Sequence, residues 1–381
     1  MASRVKQKAL SVLIGLCLAC MLGELMVRTF YTPVPEQITL LTMSEMYQKD
    51  EALGHLPRPN VTGRHRRVGS FDSEVRTNSL GLRDTEHALG KASGSRIVVL
   101  GDSYAWGYGV DNGEIFTDHL DRILCETEVV NLGVSAFNIR QEIDYFTRLG
   151  QRFRPDRVIV AFVQNDILLN EKPTSTSSVS ATKESPAESK TKWSVRFKQF
   201  LRRNVRSYDL FVTQFNRNRY LVRWAVRLGI KDSLVGYEGL DNNVIPSLKV
   251  YPQEVEEAWE KVFGQLDELH TLVRGSGAQL ILALVPAPHA VDPDFFRVSI
   301  GYTRYETSDF DLDKPYAMLV RHARAQGIDV INPLSAFRVA HESGSDLYLR
   351  ADIHFSPGGH LLFATEIARH LREIGAIGMC P

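Results

Sequence analysis

Four short stretches carry residue types that could do chemistry. IVVLGDSYAWGYGV (Ile97 to Val110) drives an apolar run into a Gly-Asp-Ser turn, so that Ser103 stands at the end of a buried strand. A serine nucleophile needs a base to take its proton, a group to orient that base, and donors for the oxyanion that forms on attack. Gly101 permits the tight turn, and Gly107 and Gly109 let the backbone behind the serine pass close to a ligand. The competing reading makes Ser103 no more than the cap of a following helix. Near the C-terminus, LYLRADIHFSPGGH (Leu347 to His360) sets Asp352 and His354 two residues apart, ahead of a helix announced by Ser356 and Pro357. At that spacing Asp352 can hold one imidazole nitrogen while the other faces a nucleophile. VIVAFVQND (Val158 to Asp166) ends an apolar run at Asn165, whose amide can donate to an oxyanion, and VVNLGVSAFN (Val129 to Asn138) forms a loop that can offer backbone N–H groups. Each stretch alone is ordinary turn chemistry; together they supply every part that a serine nucleophile requires.

The elements that must position these residues are legible as alternating apolar runs and helical patterns. RIVVLG (96–101), EVVNLG (128–133), RVIVAFV (157–163), QLILALVP (279–286) and IDVIN (328–332) are nearly continuous apolar runs, as in strands covered on both faces. Helical periodicity covers Glu114–Glu126, Arg140–Phe153, Gln253–Arg274, Lys314–Gln326 and Pro357–Arg372. The alternation predicts a parallel sheet with helices on both faces, a three-layer α/β/α sandwich. Loops at the carboxyl ends of such strands are where ligand-binding groups gather.

Domain organisation follows from the breaks in this rhythm. Residues 96–376 form the α/β domain, interrupted over 170–250. The interruption opens with a polar Ser/Thr-rich segment, Asn170 to Lys192, of the composition found in disordered chains. Lys192 to Lys231 then carries eleven Lys/Arg against Asp209 alone, with aromatic residues at helical spacing. This predicts a helical insertion with a basic face, either simply exposed or docked on anionic lipid or an acidic glycan. Residues 31–95, rich in Pro, Gly and Arg, read as an irregular juxtamembrane stalk leading into the domain.

Residues 1–30 read as a membrane anchor. Arg4, Lys6 and Lys8 precede the uncharged stretch Ala9–Gly23; Glu24 interrupts it and Arg28 closes it. A span takes about 20 residues, so the run suffices if Glu24 sits at the far interface. The basic flank predicts a single pass through the membrane with the remaining chain outside the cytoplasm. A cleaved signal peptide is the rival reading, but no small-x-small site follows, and Cys17 stands where a lipoprotein site ahead of Cys20 would want leucine. Lys plus Arg number 45 and Asp plus Glu 45, so no global charge draws the chain to nucleic acid. Cys125 and Cys380 either pair in one disulfide or stay free. No CxxC pair or His/Cys cluster has ligand spacing, so neither metal nor organic cofactor is expected.

GDSYAWGYGV, NLGVSA, QND and DIHFSPGGH, in this order, resemble the consecutive blocks of the SGNH (GDSL-type) hydrolases. RTNSLGLRD (Arg76 to Asp84) and the anchor are similar to the membrane-anchored bacterial branch of that superfamily, which implies the inner membrane for the anchor and the periplasm for the domain. The resemblance implies a flavodoxin-like order for the parallel sheet, with Ser103 as nucleophile, His354 as base and Asp352 as orienting acid. The oxyanion donors would be the N–H groups of Ser103 and Ala136 and the Asn165 amide. The second block usually has glycine where Ala136 stands, the third begins with Val163 in place of glycine, and the acid usually lies three residues before the histidine, where Ala351 stands. Asp346 is the substitute acid should Asp352 not serve. Tyr104, Trp106 and Asp166 are candidates to touch substrate. His360 reads as a helix-face residue packed under the turn, and His289 as a residue that follows the fourth strand. The implied activity is carboxylic-ester hydrolysis on an acylated glycan or a lipid ester. An O-acyltransferase using the same residues, or a non-catalytic glycan- or partner-binding domain, are the alternatives.

Overall fold

The computed structural model describes residues 43–376 apart from 68–69, 91–93, 125, 170–200, 202–204, 218–223, 225–242, 301–302, 304 and 351, together with 11, 15 and 19–30. The chain divides into two units, one from 1–36 and 182–234, the other from 37–181 and 235–381. Cys125 and Cys380, and most of the basic insertion, fall outside the described residues.

The larger unit begins with two antiparallel hairpins, β1 (Tyr47–Asp50) with β2 (Gly54–Pro57), and β3 (Thr62–Arg67) with β4 (Phe71–Arg76). The irregular stalk expected over 31–95 is therefore corrected from residue 43 onward. Tyr47, Leu53, Val75 and Leu82 join the main core, so this segment is part of the domain and not a tether in front of it.

Five parallel strands follow: β5 (Ser95–Gly101), β6 (Thr127–Asn131), β7 (Arg157–Phe162), β8 (Gln279–Leu284) and β9 (Asp329–Ile331). Their spatial order is β6-β5-β7-β8-β9, the flavodoxin-like order. Ile97 to Leu100 in the interior strand β5 are fully buried. Each such side chain contributes about 1.5–3 kcal/mol of burial. The helices that serve the site are α1 (Ser103–Trp106), α2 (Phe116–Ile123), α3 (Ile139–Arg148), α4 (Gln253–Gly275), α5 (Lys314–Ala325), α6 (Leu334–Glu342) and α7 (Pro357–Glu373). In α4 the buried residues Val255, Ala258, Val262, Leu266, Leu269 and Val273 recur every three or four positions, with Trp259 beside them, which gives one apolar stripe. α2 and α7 pack together. α3, α4 and α5 are linked by Arg140–Glu268 at 2.7 Å and His322–Asp267 at 2.8 Å. The order reverses at β5, and the carboxyl ends of the strands at such a switch point are where open α/β sheets gather ligand-binding groups.

The lead-in after β4 is held by a half-buried ion cluster. His87 lies 3.0 Å from Asp84 and 2.6 Å from Glu128 of β6, and Asp84 also accepts from the Asn131 N–H at 2.7 Å. Burial opposes charge on His87, but the two carboxylates outweigh it and raise the ring from 6.5 to about 9. A raised pKa contributes stability that is complete below 6.5 and is lost as pH climbs through about 9. His87→Gln should therefore lower the thermal midpoint by roughly a few degrees at pH 6, and the gap to wild type should close by about pH 10. A gap independent of pH would assign the loss to packing.

In the smaller unit, residues 19–30 are helical, with Met21, Leu22, Leu25, Met26 and Phe30 exposed. Among the described residues no helix is long and apolar enough to cross a membrane, and much of Ala9–Gly23 lies outside them. Glu24, the residue that interrupts the apolar run, accepts from the backbone N–H of Arg206 and of Ser207, both at 2.9 Å, and from the Ser207 hydroxyl at 2.7 Å. The carboxylate thereby caps the helix Arg206–Arg217 of the basic insertion.

Candidate active site

The turn after β5 is forced by its neighbours. Gly101 has φ +155°, and a Cβ there would stand 2.8 Å from the Ala105 Cβ and 3.2 Å from that of Ala161. Only glycine lets the strand reverse at once into α1. The cap of α1 is Asp102, whose carboxylate accepts from the Tyr104 N–H at 2.9 Å. Ser103 is thus not the cap, and its hydroxyl is left for other work. Arg83, from the lead-in, is buried under the turn behind it. Its guanidinium donates to the carbonyls of Gly107 and Val110, each at 2.5 Å, and lies 4.6 Å from the Trp106 ring. Burial pushes its pKa down to about 10, so it stays charged at neutral pH.

His354 reaches Ser103 from the far end of the chain. Leu349 N–H donates to the His354 carbonyl at 2.8 Å and Ser356 N–H to that of Leu347 at 3.0 Å, which closes a tight loop over 349–354. Ser356 caps α7 through the Gly359 N–H at 3.2 Å, with Pro357 in the first turn. The loop puts His354 Nε2 2.7 Å from Ser103 Oγ and His354 Nδ1 2.6 Å from Asp352 Oδ1. Asp352 Oδ1 also accepts from the His354 backbone N–H at 3.1 Å. With Asp352 there, Nδ1 carries the ring proton and Nε2 is free to accept from the serine. The substitute acid Asp346 is exposed, and its carbonyl accepts from the Ser356 hydroxyl at 2.6 Å, so it takes no part in this relay.

A residue that the sequence reading passed over completes the relay. Arg67, at the end of β3, donates to Asp352 Oδ2 at 2.6 Å. Burial alone would raise the Asp352 carboxyl, but the adjoining imidazole, its hydrogen bonds and the Arg67 charge outweigh burial and hold it well below the usual carboxylate range. The same hairpin touches the loop again where the Ser70 hydroxyl donates to the Arg350 carbonyl at 2.7 Å. The signal was the basic run RHRR (64–67), which the stalk assignment absorbed.

The loop after β6 is bolted to the nucleophile turn. Leu132 N–H donates to the Val99 carbonyl at 2.8 Å and Val134 N–H to that of Gly101 at 3.0 Å. The Asn131 amide donates to the Ala105 carbonyl at 2.8 Å. Gly133 passes so close that a Cβ would stand 2.5 Å from the Ala105 backbone. Ala136 has φ +66°, a conformation that costs a non-glycine residue about 1–2 kcal/mol. Among the described residues no protein group accepts from the N–H of Ser103 or Ala136. Asn165, after β7, donates through Nδ2 to Asp102 Oδ2 at 3.2 Å, which leaves its second amide hydrogen unused.

The aromatic candidates divide. Tyr104 and Trp106 are each 2% exposed, which corrects their assignment as substrate contacts. Tyr104 braces the histidine loop by donating to the Ile353 carbonyl at 2.5 Å, and Trp106 packs against Arg83. Asp166 is 1% exposed and is corrected likewise. Burial raises the Asp102 carboxyl, and burial with the Asp102 charge raises Asp166 and raises Glu142 to about 8. Tyr108 is half-buried and stacks on His354 at 4.1 Å. His360 is buried and accepts from the Phe116 N–H at 3.2 Å at the start of α2, and His289 is also buried. Among the described residues no His, Cys, Asp and Glu group could hold a metal.

A serine–histidine–carboxylate relay at the carboxyl edge of a flavodoxin-like sheet is the arrangement of serine acylhydrolases. The chain belongs to the GDSL-like Lipase/Acylhydrolase family, whose model matches residues 99–362. It is an enzyme of that family, an ester hydrolase. Solved structures similar to it include a lipolytic G-D-S-L family protein from Veillonella parvula, at 12% identity, covering 72% of this chain and 97% of that one, with TM-score 0.40. A lipase/acylhydrolase from Enterococcus faecalis shows 15% identity, 75% and 99% coverage and TM-score 0.38. A catalytic mutant of the acetylxylan esterase Axe2 from Geobacillus stearothermophilus shows 14% identity, 75% and 96% coverage and TM-score 0.39. A search of curated proteins finds no match.

Proposed function

We propose that this enzyme removes acyl groups from an extracytoplasmic glycan or lipid ester through an acyl-enzyme on Ser103. The observation that carries the reading is the unbroken hydrogen-bond series Ser103–His354–Asp352–Arg67. Ser103 Oγ attacks the ester carbonyl while His354 Nε2 takes its proton, and the oxyanion is met by the N–H groups of Ser103 and Ala136 and the Asn165 amide. His354 then returns the proton to the departing alcohol, leaving the acyl group on Ser103. Water, deprotonated by the same imidazole, releases the acid and restores the serine. Asp352 and Arg67 stabilise the imidazolium in both halves. A panel of acylated glycans and short-chain lipid esters, assayed with and without a free glycan acceptor, tests this. Acid release in water is expected. Turnover only with acceptor would make the enzyme an acyltransferase, and silence on every ester would leave a binding domain.

The extracytoplasmic placement rests on the basic flank ahead of Ala9–Gly23. Anchor and insertion are further proposed to meet at the membrane surface. The support is Glu24, which caps helix Arg206–Arg217, and exposed Phe211 on that helix. The full chain in detergent should pass to vesicles containing anionic lipid more readily than to neutral ones, and replacing Arg202, Arg203, Arg206 and Arg217 by glutamate should remove the difference. High salt should do the same by screening. Transfer indifferent to lipid charge, salt and these residues would refute the lipid contact.

A further inference from the structure

The first hairpin packs against the loop after β6 through Tyr47 and His55, both of which face Ser135. His55, on β2, is 8% exposed. Its ring sits edge-on to Tyr47 at 5.2 Å and to Phe137 at 5.3 Å, which fixes its plane. Its Nε2 lies 2.9 Å from the Ser135 carbonyl oxygen. A carbonyl oxygen only accepts, so Nε2 must carry the hydrogen. The Ser135 carbonyl and the Ala136 N–H are the two ends of one planar trans peptide and point in opposite directions. Whatever holds the oxygen therefore aims the N–H. The next residue is the one non-glycine of this loop with positive φ, Ala136 at +66°, a state that persists only where its surroundings over-determine it.

We propose that His55 is a positioning residue of the ester-hydrolysing centre: by binding the Ser135 carbonyl it locks the 135–136 peptide with its N–H turned toward the oxyanion formed at Ser103. The inference rests on the serine-esterase reading above. Released from His55, the strained alanine can relax by rotating this peptide. The Ser135 oxygen would then move toward the site of developing negative charge and the donor would turn away. A purely structural histidine, by contrast, would serve equally well as any ring filling the space between Tyr47 and Phe137.

The test uses the full chain in detergent with p-nitrophenyl acetate as substrate. His55→Phe should lower kcat by about 10–100-fold, less than the roughly 10²–10³ of a lost oxyanion donor because the N–H is misaimed and not removed, and leave KM nearly unchanged. His55→Gln keeps an N–H near the Nε2 position and should retain most of kcat. Ala136→Gly is made in both backgrounds to complete a double-variant cycle with His55→Phe. In the His55→Phe background it should restore kcat by several-fold, because glycine has no strain driving it out of the conformation. If His55→Phe does not fold, as judged by its thermal midpoint, His55→Met replaces it. Equal kcat in wild type and in the Phe or Met variant would overturn the proposal, as would equal damage from Phe and Gln with no rescue by glycine. Ser103→Ala is run alongside: activity surviving there overturns the esterase reading itself, whereas silence there with an undamaged His55→Phe overturns only the role of His55.

Discussion

Ser103→Ala is expected to lower kcat/KM by roughly 10⁴–10⁶ on any ester the enzyme accepts. It should also abolish covalent labelling by a serine-reactive phosphonate. The size follows from what is lost: the relay passes a proton from Ser103 Oγ to His354 Nε2 over 2.7 Å, and alanine has no oxygen to attack with. His354→Ala should be about as damaging, because a serine without its base remains a neutral alcohol, and the double variant should be no worse than either single one. Asn165→Ala should behave differently, lowering kcat by roughly 10²–10³ with KM little changed, since an oxyanion donor is used mainly in the transition state. Wild-type ester turnover by Ser103→Ala would return Ser103 to a structural role, but not to that of a helix cap, which Asp102 already fills.

What was legible in the sequence was whatever is local. β5 to β9 stand within a few residues of the apolar runs, because strands buried on both faces need continuous apolar sequence. Asp352 and His354 were legible because they are two residues apart, and Ser103 because its turn demands glycine beside it. The two hairpins were not. In β3 and β4 the buried positions are His65, Ser73 and Val75, so the inward face is partly polar and no alternation of apolar and polar residues marks the strands. Arg67 and His55 were missed for the same reason and for another: each acts on a residue far away in sequence, and no spacing rule reaches across such a separation. Tyr104 and Trp106 were misjudged because an aromatic residue beside a nucleophile has the same sequence signature whether it faces the substrate or the core.

The contact from Arg67 turns a familiar substitution into a sharper one. In Asp352→Asn, donors face both sides of the new amide: the His354 ring and backbone N–H groups where Oδ1 stood, and the Arg67 guanidinium where Oδ2 stood. An amide offers one oxygen and one NH₂. With NH₂ toward Arg67, a donor meets a cation in a site where the acid's side chain is only 5% exposed. The favoured orientation therefore gives the oxygen to Arg67 and the NH₂ to His354. Nδ1 must then accept, the ring proton moves to Nε2, and Ser103 loses its base. Asp352→Asn should lower kcat by roughly 10³–10⁴, the cost of the wrong tautomer, somewhat less than removal of the histidine. Arg67→Met alone should also lower kcat, by weakening the carboxylate's hold on the imidazolium. Combined, the two changes should not multiply. Without the guanidinium the amide is free to turn its oxygen back to His354, so the double variant should be about ten-fold more active than Asp352→Asn by itself, a gain of about 1.4 kcal/mol, and the coupling exceeds this by the cost of Arg67→Met alone. Measuring kcat for the four members of this cycle at one pH decides the matter: a double variant slower than Asp352→Asn would mean that Arg67 does not set the orientation of residue 352.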